Sequence, residues 1–529
     1  MNQVEVKRKQ IQYFSYCLAC LTIWIFGKSI GSNGLGYLAA AVLIFELFWI
    51  LTGKNLPDRM GRMLRGKNAK GQYQNAARLR KNCMLFEAME GIVGSVLCAF
   101  VGWILLEKVF RVPYGSMILW ILSPILLFRC IQSAILGAFQ SEGSELPSAV
   151  SAVLRQVFYL GFGILFSGIF RTYGEKVSLL LKKDDFTSMY GAMGIALGML
   201  ISEVLLLLFV FIIYRGSMSG RKEPENGRKG TDSFVSQIRT LLLGMGGDIL
   251  RQLLLYLPLT AGLFLVQKNA EDIYSSIENY GVFIGRYFVL QCFLVAFFYA
   301  GSLSGIAKMG IHFRKKEEKY AKTAFAAGSK GVLVHGFFIA VTGAVLAAPI
   351  SQVIDAGSQA ALSGMLTVGS SLGLWLLLLF YFTETLRQQG NTPLILVGYG
   401  ILDLLFVIGY LVFSGSGNGL VIGTVCGAAA GALALGIFSF LQKKSRLDFL
   451  GALAIPAGSS LACGLLAFGL EKILLPYLGA GMTVLLELVI TVVLYWFLLF
   501  ALHCFREQEL SYVPYGKIMK AFGKMCRLI

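Results

Sequence analysis

Hydrophobic residues along this chain fall in long unbroken blocks. They follow neither the three-to-four-residue spacing of an amphipathic helix nor the alternation of a half-buried strand. A helix needs roughly 20 apolar residues to cross a hydrocarbon core about 30 Å thick, and the blocks supply that length repeatedly. Read against the glycine, proline and charge clusters that end them, they predict spans near residues 11–29, 37–53, 83–106, 114–137, 148–169 and 190–214. Eight more fall near 241–266, 281–304, 330–350, 361–383, 393–413, 418–441, 449–470 and 481–503. The connecting segments are too short to build a sizeable soluble domain. Composition agrees: of 529 residues 56% are hydrophobic and 14% charged, and mean hydropathy is +0.70. A soluble chain of this length needs more charge to cover its surface. The expected fold class is an all-α polytopic membrane protein with about 14 transmembrane helices.

Charge sets the orientation. With the N-terminus placed in the cytoplasm, and with Lys28 and Lys330 at span ends counted with their adjoining segments, the inner segments carry 34 Lys or Arg and the outer loops 9, with four more inside spans. A miscounted span would invert the parity and scramble that bias, so both termini are expected in the cytoplasm. The net charge of +18 then reads as topology and contact with anionic lipid, not nucleic-acid binding. Lys7-Arg8-Lys9 followed by an apolar run resembles a signal peptide, but no small-residue cleavage site follows, so an uncleaved first helix is expected. Cys17 and Cys20 form a C-x-x-C inside the first span, where packing is the expected role. His312, His335 and His503 lie far apart in sequence, and neither a metal site nor a cofactor is expected.

The loops carry signs of an internal repeat. Long basic segments follow span 2 (Lys54 to Lys81) and span 8 (Lys308 to Lys330), an offset of 254 residues from Lys54 to Lys308. Gly143 lies in the loop after span 4, ahead of Pro147, and Gly390 in the loop after span 10, ahead of Pro393, an offset of 247. Spans 6 and 12 both carry glycines at small-xxx-small spacing, Gly194/Gly198 and Gly423/Gly427/Gly431. The pattern predicts two pseudo-symmetric six-helix bundles plus two C-terminal helices. The expected boundaries are 1–214 for the first bundle, 215–240 for a basic cytoplasmic linker, 241–441 for the second bundle, and 442–529 for the added helices and basic tail.

Charges inside spans cost about 2.5–3.5 kcal/mol each at the bilayer centre, so they should face the protein interior or water. They are Glu46, Glu87, Glu90, Arg129, Arg155, Glu203, Asp248, Arg251, Arg286, Asp403 and Glu487. Glu87, Glu90, Arg129 and Arg155 lie at similar depth on the cytoplasmic side and could neutralise one another. Asp248 and Arg251 follow Gly244-Met-Gly246-Gly247, where a weakened helix start beside an arginine could hold an anion; equally, they could pair with each other at i,i+3. Asp403 and Glu203 read either as ion-coupling sites or as buried partners. No outer loop combines acids and histidine in a catalytic arrangement and no Walker A sequence occurs, so the chain is not expected to be an enzyme.

Three stretches carry a family resemblance: Phe26-Gly-Lys28-Ser-Ile-Gly31-Ser-Asn-Gly34-Leu-Gly36-Tyr37 after span 1, the basic segment Pro57 to Arg80, and Phe139-Gln140-Ser-Glu-Gly143 with Pro147 to Ser151. With them the chain resembles the multidrug/oligosaccharidyl-lipid/polysaccharide exporter superfamily. Within it, the polysaccharide-export and stage V sporulation protein B branch, related to lipid II flippases, is most similar. Lys28 stands where the family usually has arginine, and Arg155 and Tyr159 stand where it commonly has an acid and an arginine. The resemblance implies flipping of a polyprenyl-diphosphate-linked sugar to the outer leaflet by alternating access. It also implies a cation-lined cavity built largely from spans 1, 2, 7 and 8, with an apolar groove for the lipid tail on spans 13 and 14. Lys28, Arg251 and Arg286, with Asp248 beside them, would then meet the headgroup; a monomer in contact with membrane lipids is expected. A cation-coupled exporter of small drugs or metabolites is the alternative. The cation-coupled branch often has an acid in span 1, and this chain has none there.

Overall fold

A computed structural model describes residues 3–182, 185–218, 233–443 and 448–528, and among them it is all-helical, with no strand. The chain opens on α1 (Gln3–Leu51), followed by α2 (Leu56–Ala69), α3 (Tyr73–Ile104), α4 (Gly115–Leu122), α5 (Ile125–Ser141), α6 (Leu146–Leu181) and α7 (Asp185–Met218). Next come α8 (Phe234–Lys268), α9 (Ile273–Val282), α10 (Val289–Arg314), α11 (Glu318–Val345), α12 (Ala347–Ile354) and α13 (Gln359–Gly369). The remaining helices are α14 (Leu372–Gln388), α15 (Thr392–Phe413), α16 (Gly419–Lys443), α17 (Ile455–Ala501) and α18 (Gly516–Met525). Eleven helices are long and apolar enough to cross a membrane, or twelve when α13 and α14, bent by 51°, count as one span.

That number differs from the fourteen predicted blocks because two helical runs each hold two blocks. Val6–Leu51 has 46 residues and Leu450–Ala501 has 52, roughly 70 and 80 Å of helix at 1.5 Å per residue. Each is broken by one glycine in a conformation that L side chains rarely adopt: Gly31 (φ 71°, ψ −179°) and Gly479 (φ 70°, ψ 164°). Each run is therefore two helices meeting at a kink, with no loop between them.

The chain forms two compact units, Ile25–Gly281 and Met1–Trp24 with Val282–Ile529. In the first, α6 and α7 approach through glycine. A Cβ on Gly194 would lie 2.4 Å from the Phe166 carbonyl oxygen, and one on Gly198 2.6 Å from Gly163 N. In the second, α15 and α16 approach the same way, with Gly427 2.7 Å from the Leu402 carbonyl oxygen by the same measure. Small residues let backbones close in and gain dispersion contact where lipid offers no hydrophobic drive. Also in the first unit, α2 buries Leu56, Met60 and Leu64 against Leu79, Cys83, Ala134, Ile238 and Leu241.

Helix ends repeat between the units. At the end of α5, Gly143 N donates to Gln140 O and Ser144 N to Phe139 O; at the end of α14, Gly390 N donates to Arg387 O and Asn391 N to Leu386 O. Both are Schellman caps, with φ of +78° at Gly143 and +77° at Gly390, and each next helix has proline in its first turn. A second pair of such caps closes α2 (Gly71 N to Asn68 O, Gln72 N to Lys67 O) and α10 (Lys316 N to Phe313 O, Glu317 N to His312 O). Within the expected linker 215–240, positions 219–232 lie outside the described residues.

Candidate functional site

The intramembrane charges sort into three groups. The largest centres on Glu203 of α7, whose side chain is fully buried. It accepts hydrogen bonds from Arg129 Nε of α5 (3.0 Å), Arg155 Nε of α6 (2.8 Å), Gln132 Nε2 of α5 (3.0 Å) and the Tyr159 hydroxyl of α6. Arg129 carries the network onward, donating from Nη1 to Glu46 of α1 (3.1 Å) and from Nη2 to Tyr159 (2.8 Å), with its guanidinium over the rings of Phe45 and Trp49. Lys54 Nζ donates to the second oxygen of Glu46 at 3.0 Å. Five charged groups thus tie α1, α5, α6 and α7 together through charge-assisted bonds, the geometry in which buried ions hold their place.

The expected mutual neutralisation at this depth does occur for the two arginines, but with Glu46 and Glu203. Glu87 and Glu90 of α3 stay apart from it. Glu87 accepts from Ser133 Oγ at 3.2 Å, while Glu87 Oε1 and Glu90 Oε2 are buried with no hydrogen-bond partner among the described residues.

The second group lies on α8. This helix runs unbroken from Phe234 to Lys268, so the opened helix start expected at Gly244 to Gly247 is absent and no backbone N–H is freed there. Arg251 Nη2 pairs with Asp248 at 3.4 Å. The same helix is held to the α1–α2 junction by Gln252 donating to Asn55 (2.5 Å) and by Lys54 over the ring of Tyr256. Lys28 of α1 is exposed, close in sequence to Ser29, whose carbonyl accepts from Arg171 at 3.1 Å.

The third group lies in the second unit. Arg286 sits in a π-helical turn, Phe283–Phe288, a local widening that recurs at functional sites. It is buried and pairs with Asp355 at 3.2 Å, while its Nη1 donates to the Trp24 carbonyl at 3.3 Å. Trp24 Nε1 in turn donates to the Ile354 carbonyl at 3.3 Å. Asp403 of α15 and Glu487 of α17 are buried, and among the described residues none of their four carboxylate oxygens has a hydrogen-bond partner.

No protein family's sequence profile matches the chain. Over 226 residues it is 22% identical to Stage V sporulation protein B of Bacillus subtilis (strain 168), a stretch covering 42% of this chain and 41% of that relative. Among solved structures, the lipid II flippase MurJ in an inward closed conformation matches with a TM-score of 0.66, covering 93% of this chain and 98% of that one at 13% identity. A multidrug resistance MATE family transporter of the MOP superfamily, inward-facing, matches with a TM-score of 0.60, covering 84% of this chain and 98% of that one at 15% identity. This chain shares the fold of those two transporters.

On that fold the departure noted in span 5 finds a structural answer. Where the resemblance leads one to expect an acid and an arginine on one helix, α6 offers Arg155 and Tyr159, and the acid comes from α7 as Glu203. Gln132, Lys54, Asp355 and Trp24 escaped the sequence reading. Lys54 and Asp355 lie outside the apolar blocks, Lys54 at the start of the basic segment after span 2; Gln132 and Trp24 carry no charge to draw attention.

Proposed function

We propose that this protein moves a polyprenyl-diphosphate-linked oligosaccharide, a precursor of cell-envelope polysaccharide or peptidoglycan, from the inner to the outer leaflet by alternating access. The observation that carries this reading is the extent of the structural likeness. The lipid II flippase accounts for 93% of this chain and the MATE transporter for 84%, so the flippase accommodates length the drug exporter leaves over. Similarity to Stage V sporulation protein B supports the same branch. In this reading the chain crosses the membrane fourteen times: α13 and α14 join into one crossing, and α1 and α17 divide at Gly31 and Gly479. Both termini face the cytoplasm, and no covalent chemistry is done.

The division of labour follows from charge. Lys28, Arg251 and Arg286 meet the diphosphate, with Asp248 and Asp355 neutralising the two arginines while the site is empty of substrate. Glu46, Arg129, Arg155 and Glu203 hold helices in place. The apolar tail stays in lipid against α17, so only the headgroup needs a polar route. The test is native mass spectrometry of gently extracted protein. A co-purifying polyprenyl-diphosphate sugar supports the reading and identifies the sugar by mass; bulk phospholipid alone, even after such lipids are added back, overturns it.

A second reading, cation-coupled export of small drugs or metabolites, is favoured by the MATE likeness and by the unpartnered carboxylate of Asp403. Ion-driven uptake of a dye into vesicles, lost in Asp403→Asn, would select it.

A further inference from the structure

Arg59 lies in the first turn of α2 and reaches across to α8. There the side chain meets the one position where a glycine lets it settle. A Cβ built on Gly244 would lie 2.1 Å from Arg59 Cζ and 2.1 Å from its Nη2, so the guanidinium occupies the notch that glycine leaves. Its Nε is buried, and among the described residues it has no hydrogen-bond partner. A guanidinium offers five N–H donors in a planar fork and stays charged. Burying one of those donors unsatisfied is costly, which leaves the seated Nε a donor short of an acceptor.

The surroundings fit a diphosphate. Positions 244, 248 and 251 fall on one face of α8, at helical i, i+4 and i+7 spacing. That face therefore presents the notch, then Asp248, then Arg251. Asp248 is the single acid on α8 and is already paired with Arg251 at 3.4 Å. Lys54 is engaged with Glu46 at 3.0 Å, and Asp58, beside Arg59 in sequence, is exposed. Arg59 and Arg251 therefore outweigh Asp248. Leu241 and Met245 of α8, with Met60 and Leu64 of α2, form an apolar floor beside the notch.

We infer that Arg59, seated in the Gly244 notch, is a diphosphate-binding residue that takes the headgroup of a polyprenyl diphosphate, with Arg251 as its neighbour on α8. The inference rests on the transport reading above, and it explains Gly244 by the guanidinium that this glycine accommodates.

The test uses the full-length protein in nanodiscs and farnesyl diphosphate as the probe, with affinity and thermal stability measured together. Arg59→Ala should weaken binding by about tenfold or more, the scale of losing a charged hydrogen bond. Gly244→Ala should do the same by displacing the guanidinium, while leaving melting unchanged or raised, since alanine favours a helix interior by about 1 kcal/mol. The double variant should bind no more weakly than either single one, because both remove the same contact. Gly246→Ala, whose Cβ would meet nothing within 4 Å, should bind as the unaltered protein does. If the unaltered protein binds the probe and Arg59→Ala or Gly244→Ala binds equally well, the Arg59 assignment is wrong and the transport reading stands. If the unaltered protein does not bind the probe, both fall.

Discussion

Glu203 is where most of the buried charge of the first unit converges, and it has no solvent to fall back on. Four side chains donate to it, two of them arginines. Removing the acid leaves Arg129 and Arg155 crowded with their main counter-charge gone, a loss of about 3–5 kcal/mol for a broken buried pair. Glu203→Ala should therefore lower the melting temperature sharply. Tyr159→Phe, which removes one hydroxyl and keeps the ring, should cost about 1 kcal/mol. Thermal unfolding in detergent separates the two; equal, small effects would place Glu203 outside the structural network. Outside the membrane, Glu507 accepts from Lys520 at 2.8 Å, and that bond together with the charges of Lys520 and Lys524 holds its carboxyl below its ordinary value. A lowered acid stabilises the fold above its unfolded-state value and loses that contribution as pH falls through the folded one. Amide protection in α18, taken as observed exchange relative to the intrinsic rate at each pH, should thus fall in acid below the usual carboxylate range; protection unchanged there contradicts the tether. These residues also mark what can be read from a chain alone. The acids and arginines in the spans were legible because charge in an apolar block stands out. Their partners were not, because sequence gives the depth of a residue along its helix and leaves open which neighbour it faces. That is why Arg129 could be matched in depth with Glu87 and Glu90, while its contacts are Glu46 and Glu203.

At the scale of the element, hydrophobic blocks located the helices and glycine marked their ends. The caps at Gly143 and Gly390 were visible as Gly followed by Pro, and their matching backbone angles follow from the same local chemistry. The breaks at Gly31 and Gly479 were hidden because glycine is common in this chain, with 61 copies, and most of them continue a helix. Gly31→Ala separates the two kinds. A Cβ there would meet nothing within 4 Å, so any penalty is backbone strain alone, about 1–3 kcal/mol for that region of φ/ψ. Gly458→Ala, equally open but not at a positive φ, should be neutral or slightly stabilising. Equal melting temperatures for the two variants would mean that the bend at Gly31 is not fixed by its backbone. Packing glycines behave differently again: Gly198→Leu should unseat α7 from α6, because Phe162 and Gly163 already lie within 2.6 Å of a built Cβ.

At the scale of the molecule, we propose from the excess of lysine and arginine on alternate segments that both termini face the cytoplasm. A membrane-impermeant label on a terminal tag should react only after inside-out vesicles are prepared, and reaction from the outside of intact cells contradicts that topology. The proposed activity is movement of a lipid-linked diphosphate between leaflets. Its most direct test is a proteoliposome assay in which a fluorescent polyprenyl-diphosphate sugar is loaded into the inner leaflet and its arrival outside is read by a membrane-impermeant quencher. Protein-dependent quenching is expected, and Arg286→Ala and Arg251→Ala should abolish it while the protein stays folded. Quenching no faster than in protein-free vesicles would contradict it.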